Sequence, residues 1–241
     1  SNDKPFLVYY EGGLYWPIFK AYPETTFDGD FETETDYRDP YILDKIEAGK
    51  NFVLFPLNHF SYDTINLDLD KPVPSAPTGD NLLGTDDRGR DVLARLIYGF
   101  RLSVLFGFAL TSIGSTVGIL AGSVQGYFGG KTDLFMQRFI EIWGAMPELY
   151  LLIIFASIFK PSVMLLLILL SIFGWMGLSD YVRAEFLKGR NMDYVTAARA
   201  LGVSNVVIMF RHLLPNGMTP VITFLPFRLS GAILALTSLD F

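Results

Sequence analysis

The chain has 241 residues, 51% of them hydrophobic and 15% aromatic, with a formal charge of −6 and no cysteine. Disulfides and thiolate metal sites are therefore excluded, and because a soluble domain can reach that apolar fraction, its distribution decides the class. Residues 1–80 carry 15 acidic and 6 basic side chains and the remainder 10 and 13, so an acidic soluble segment precedes a mildly basic apolar one.

Residues 1–80 contain no run long enough to span a bilayer. Phe6–Tyr10 and Leu14–Ile18, on either side of Glu11-Gly12-Gly13, predict a hairpin. Asp39-Pro40 opens a short helix that Gly49 closes, Asn51–Phe55 is a further strand, and Pro72, Pro74 and Pro77 make an extended linker. The expectation is a small α+β unit outside the membrane.

Between residues 81 and 101, Asp91, Leu93, Ala94, Leu96 and Ile97 alternate with Arg88, Arg90 and Arg95, which predicts an amphipathic helix lying in the interface. Residues 102–241 read as a transmembrane core. No charge occurs between Arg101 and Lys131, more than the ~20 residues a spanning helix needs. Gly114, Gly118, Gly122, Gly126 and Gly130 recur there every fourth residue, and such a stripe lets helix backbones approach closely. Gly129-Gly130 also fits loop punctuation. Gly126–Thr132 invites a phosphate-loop reading, but its leading glycine is one residue too close and no buried strand precedes it.

Asp133–Phe159 predicts a second span whose polar entrance pairs Arg138 with Glu141 and which Pro147-Glu148 interrupts. Pro161–Ser179 is a third, without charges. A polar, basic connector follows. Within it Tyr194–Leu201 predicts a helix stopped by Gly202, and a second helix starts near Ser204, capped by its hydroxyl, presents Val206, Val207 and Phe210 beside Arg211, and ends before Pro215. Asn216 to about Thr237 is the fourth span, with Pro220, Pro226 and Arg228 inside. An arginine there costs at least ~2.5 kcal/mol unless it faces protein or water. It either pairs with a carboxylate of a neighbouring helix or lines a pathway. The basic residues of a short Lys131–Arg138 loop and of the 180–215 connector put both on the cytoplasmic side, leaving 1–80 and the end near Asp240 outside. Delivery from inside then calls for one more span before Ser1.

Two histidines, His59 and His212, lie on opposite sides in this topology, and no HExxH, nucleophile elbow or metal-ligand cluster appears, so no catalytic or metal residue is assigned. His212 reads as an exposed or docking residue, and the basic residues lack the clustering of a nucleic-acid surface.

Ala197-Ala198, Gly202 and His212-Leu-Leu-Pro215 at this spacing resemble the EAA loop of ABC importer permeases. Trp175, Tyr181, Val182, Arg183, Leu187 and Tyr194 are similar to the di- and oligopeptide branch, as are Gly84-Thr85-Asp86, Gly89-Arg90-Asp91, Gly99 and Arg101-Leu102-Ser103. The likeness covers roughly residues 80–241. Thr196 stands where the loop's glutamate would be and His212 where the pattern has isoleucine. The long acidic insert resembles the Yej-type subgroup, linked to oligopeptides and microcin C. The resemblance implies an all-α polytopic permease of the bacterial inner membrane, with a small α+β periplasmic insert at 1–80 and a coupling loop at 190–215. Tyr194, Ala197, Ala198, Gly202, Arg211, Leu214 and Pro215 would dock on an ATPase. Arg138, Glu141 and Arg228 would line the translocation path or pair within the membrane, Arg228 there attracting a peptide carboxylate. Gly114, Gly118 and Gly122 would pack helices. A homologous second permease, two ATPase subunits holding ATP and magnesium, a periplasmic peptide-binding protein and a further span after Phe241 are also implied, with no cofactor in this chain. An ion-coupled secondary transporter is the alternative; it would use intramembrane carboxylates and often inverted repeats, and neither is visible.

Overall fold

The computed structural model describes residues 4–37, 39–48, 51–56, 58, 60–66, 69 and 72–239, and divides into Ser1–Arg101 and Leu102–Phe241. Gly49, His59, Asp240 and Phe241, singled out above, lie outside the described residues.

In the first unit β1 (Leu7–Tyr10) pairs antiparallel with β2 (Gly13–Tyr15), with Tyr10 opposite Gly13. The loop is therefore Glu11-Gly12 alone, both at positive φ (46° and 83°), the hand that matches strand twist. β3 (Phe52–Leu54) joins the other edge of β1, giving the order β2-β1-β3. Val8 and Tyr10 point inward, and α1 (Pro40–Glu47) lays Ile42 and Ile46, one turn apart, into the same core. Asp39 caps α1 by accepting a 2.9 Å bond from the Tyr41 amide, and Pro40 takes the first helical position. A 3-10 turn, Glu24–Phe27, delivers the fully buried Phe27, whose ring sits edge-on to Tyr10, Tyr15, Tyr22 and Tyr37 at 5.3–6.3 Å. Burial, with the 2.8 Å bond its hydroxyl donates to Asp28, pushes Tyr10 up to about 12.

Residues 81–91 do not form the expected interfacial helix. They fold as turns around two carboxylates. Asp91, fully buried, accepts from Asn81 Nδ2 (2.9 Å), Asn58 Nδ2 (2.6 Å) and the Ala94 amide (2.7 Å), and so caps the next helix. Asp86 accepts from the Arg88 and Arg90 amides (both 2.9 Å), from Arg90 Nε (2.8 Å) and from Arg95. Burial alone would raise its carboxyl, but these bonds, led by Arg90, outweigh it and hold Asp86 well below the usual range. Gly84 has φ +74° and Gly89 φ +79°, so the Gly84-Thr85-Asp86 and Gly89-Arg90-Asp91 motifs are the frame that starts this helix.

That helix, α2 (Val92–Phe128), is unbroken through Arg101. Its 37 residues extend about 55 Å. The amphipathic 92–101 stretch is thus its first turns and not a separate element. α3 (Gly130–Gly144) begins one residue after α2, so Lys131 and Arg138 lie on a helix and not in a loop, and Gly130 leaves the glycine stripe. α4 (Glu148–Ile158) follows at a bend of 63°. Pro147 disfavours helical backbone at Met146 and supplies no N–H, which explains the break. α5 (Val163–Phe173), capped by Ser162 through the Leu165 amide (3.2 Å), continues after Gly174-Trp175 into α6 (Met176–Gly189). Val163–Gly189 is one span of 27 residues, ten longer at its end than the charge pattern suggested. α10 (Thr219–Leu239) keeps Pro226 within it. Among the described residues three helices are long and apolar enough to cross a membrane, and the bent α3–α4 pair makes a fourth if it is one span.

The glycine stripe of α2 faces α5–α6. A Cβ on Gly118 would lie 2.8 Å from Trp175 O and 3.1 Å from Leu178 Cβ, and one on Gly126 would lie 2.5 Å from Arg183 O and from Phe186 Cβ. Gly122 meets Ser179 and Val182 in the same way. Only glycine allows this approach. Gly114 lies more loosely against the Gly174 carbonyl and the tip of the Arg228 side chain. Along the seam Gln125, fully buried, donates to Ser179 Oγ (2.9 Å), Gln137 donates to Gln125 Oε1 (2.8 Å) and Asp180 (3.2 Å), and Arg183 grips Asp133 through two bonds, one of 2.7 Å.

Candidate functional site

The connector before α10 is built from both of its faces. α7 (Asp193–Ala200) starts with an acidic residue and ends with Arg199, the arrangement the helix dipole favours. It closes with a Schellman turn: Val203 N–H donates to Ala198 O and Gly202 N–H to Arg199 O, both 3.1 Å, with Gly202 at φ +78°. A Cβ at Gly202 would meet nothing, so only the backbone angle demands glycine.

A second helical stretch then runs as α8 (Asn205–Val207), a π-helical segment (Ile208–Leu213) and α9 (Leu214–Asn216). Ser204 occupies the cap position, but its side chain makes no cap bond. Nor does the helix stop before Pro215. Because proline offers no N–H, the ladder shifts: Leu214 N–H reaches back five residues to Met209 O, and Asn216 Nδ2 donates to His212 O at 2.7 Å.

The inner face is locked. Val195, Ala198, Ile208, Met209 and Leu213 share one core with Tyr127, Leu178, Val182, Phe186 and Val221 from α2, α6 and α10. Tyr127 donates its hydroxyl to Asn205 Oδ1 (2.6 Å), and the Arg199 guanidinium lies 5.4 Å over the Tyr127 ring. Ala198 (8% exposed) and Leu214 belong to this inner side, so these two expected docking residues pack inward. The outer face carries Ala197, Gly202, Arg211 and Pro215. Beside them stand large apolar side chains in solvent: Leu201 (83% exposed), Val206, Val207 and Phe210. Tyr194 is set apart, lining a cavity of about 170 Å³ with Glu185, Lys188 and Asn216. Leu201 is missed by sequence reasoning because a helix-forming leucine beside a glycine stop reads as an interior position.

Within the spans, Arg138 and Glu141 pair with each other at 2.5 Å on the open face of α3, and do not meet Arg228. The expected carboxylate partner of Arg228 is not found among the described residues; its Nη2 donates instead to Gly174 O (2.6 Å), the carbonyl at the α5–α6 joint.

Residues 114–241 match the model of the binding-protein-dependent transport system inner membrane component. The whole chain is 50% identical to the inner membrane ABC transporter permease protein YejE of Escherichia coli, covering 70% of it, and 49% identical to the peptidoglycan transport system permease protein YejE of Agrobacterium fabrum, covering 69%. The oligopeptide transport system permease protein OppC of Haemophilus influenzae is 34% identical over 76% of the chain and 58% of its own length. The chain belongs to the binding-protein-dependent permease family. The permease is accordingly a multi-pass inner-membrane transport component, and the matched region takes in most of the glycine seam, the connector and α10.

Proposed function

We propose that this permease is one of two membrane subunits of an ATP-driven peptide importer, and that its 193–216 connector is the part an ATPase holds. The observation that carries this is the two-sided connector: an apolar outer ridge of Ala197, Leu201, Val206, Val207 and Phe210 on an inner face fixed to the ends of α2, α6 and α10. An exposed apolar cluster of this kind marks a protein contact. ATP and magnesium belong to the ATPase pair, a homologous permease supplies the other half of the pathway, and a periplasmic binding protein delivers substrate. Closure of the ATPases moves the connector and exchanges an inward opening for an outward one, each state favoured by what it binds better. Residues 1–80 lie in the periplasm.

Oligopeptides, with peptide antibiotics of the microcin C type, are the substrates that the resemblance supports. The Agrobacterium relative's name favours a second substrate, peptidoglycan. Leu201→Asp and Phe210→Asp test the docking face, since both side chains stand in solvent. The variants are expected to insert and to co-purify with the sister permease while losing the ATPase pair and uptake. A variant that keeps its ATPases and normal uptake would refute the docking assignment. Competition of uptake between an oligopeptide and a peptidoglycan fragment separates the two substrate readings.

A further inference from the structure

Two neighbouring open clefts of the transmembrane unit share Glu148 as a wall. The first, about 250 Å³, is apolar and lined by Trp143, Leu152, Phe155, Leu169 and Phe173 together with Glu148. The second, also about 250 Å³, is bounded by Leu110, Thr111, Leu170, Gly174, Arg228 and Glu148. It therefore holds a cation and an anion in one space, and no ion pair joins them among the described residues.

The polar atoms of the second cleft are under-used. A guanidinium has five N–H donors in a planar fork suited to a carboxylate. Arg228 spends one on Gly174 O, and its Nε is buried without a partner. Thr111 is 7% exposed and its hydroxyl, on the same wall, also has no partner. Orphaned donors and uncompensated charges are costly in an apolar surround, and ionisable groups at such depth serve substrates or ions. A mere tie between α10 and the α5–α6 joint would need neither Glu148 nor Thr111.

We propose that these two clefts form a transient station for the charged ends of a peptide in transit. Arg228 and the Thr111 hydroxyl receive the peptide's carboxylate, Glu148 receives its ammonium group, and the cleft under Trp143, Phe155 and Phe173 takes an apolar side chain. The station rests on the peptide-importer reading above. It favours short zwitterionic peptides over peptides blocked at either end.

The test is ATP-dependent uptake by the intact complex with its own binding protein, using trialanine, trialanine amide and N-acetyl-trialanine. The binding protein is the same throughout, so its own end preference cancels when variants are compared with the unmodified permease. Arg228→Gln is expected to lower the acid-to-amide uptake ratio about tenfold, which is about 1.4 kcal/mol of discrimination. Arg228→Lys should restore part of the ratio. Thr111→Val, which removes no charge, should shift it about threefold in the same direction. Glu148→Gln should lower the ratio of free to acetylated peptide and leave the acid-to-amide ratio alone. Uptake of all three peptides falling by one common factor, or ratios unchanged in every variant, would overturn the station and leave Arg228 as a helix tie. Loss of the sister permease from Arg228→Gln and Thr111→Val alike would overturn it in favour of a contact between subunits. Absence of ATP-dependent uptake of any peptide by the unmodified complex would instead count against the importer reading itself.

Discussion

Replacing Gly126 with alanine puts a methyl group 2.5 Å from the Arg183 carbonyl and from Phe186 Cβ, both fixed parts of the facing helix. A carbon–oxygen contact settles near ~3.3 Å, so α2 and α6 must part locally by about 0.8 Å. A gap of that size forfeits a quarter to a half of each dispersion contact it opens, and overpacking of this kind costs about 1–3 kcal/mol. The Gln125–Ser179 bond, 2.9 Å long in the same seam, would stretch to about 3.7 Å and be lost, a further ~1 kcal/mol. Alanine returns about 1 kcal/mol through helix propensity, leaving a net loss of about 1–3 kcal/mol. At Gly118 the nearest atom is 2.8 Å away, so less movement is needed and the net loss falls to about 1 kcal/mol. At Gly231 an added Cβ meets nothing, and alanine should be neutral or slightly stabilising. Thermal release of subunits from the detergent-purified complex should therefore rank Gly126→Ala below Gly118→Ala, and both below Gly231→Ala. Equal midpoints for all three would show that close backbone approach does not hold these helices together.

Other perturbations address the connector and the acidic unit. Gly202→Ala forces a Cβ into left-handed backbone at a cost of about 1–2 kcal/mol, and a bulky residue there should in addition leave ATP hydrolysis running without uptake; full transport in such a variant would refute the bend's role. Phe27→Ala removes the ring around which four tyrosines pack and should cost the insert about 3–5 kcal/mol, read as increased proteolysis of residues 1–80 with the spans intact. Because the Asp86 carboxyl is held below its unfolded value, its contribution is fully present above about pH 4 and is lost as pH falls through the lower folded value. Asp86→Asn should remove that acid sensitivity and lower neutral-pH stability by about 1.5–3 kcal/mol, measured by the pH dependence of proteolysis around residue 90.

Where local chemistry decides, the sequence was readable. Glu11-Gly12 made the hairpin turn, Asp39-Pro40 the start of α1, Pro147 the break in the second span and Gly202 the end of α7. What escaped depends on partners remote in the chain. Asp91 is a cap held in place by Asn58, far back in the chain, and Asp86 gathers Arg90 and Arg95 into a turn, so an amphipathic pattern read as a helix where the chain in fact turns. The charges after Ser179 mark a change of surroundings, and a helix need not stop there; Asp180, Arg183 and Lys188 simply continue α6. Arg228 was legible as costly, but its acceptor, a backbone carbonyl exposed by the α5–α6 joint, leaves no trace in side-chain types. In the connector, periodicity found both helical pieces, while the inward turn of Leu214 depended on the shift of hydrogen bonds that Pro215 imposes, and that of Ala198 on the core it shares with Tyr127, Val182 and Phe186.

The Tyr127–Asn205 bond has a mechanical corollary. It ties the foot of the longest rod to the first residue of α8, just past the Schellman turn, so a push on the Leu201 tip has almost no free travel before that rod feels it. Slack, more than stiffness, is what this bond takes out of the path between the tip and the rod.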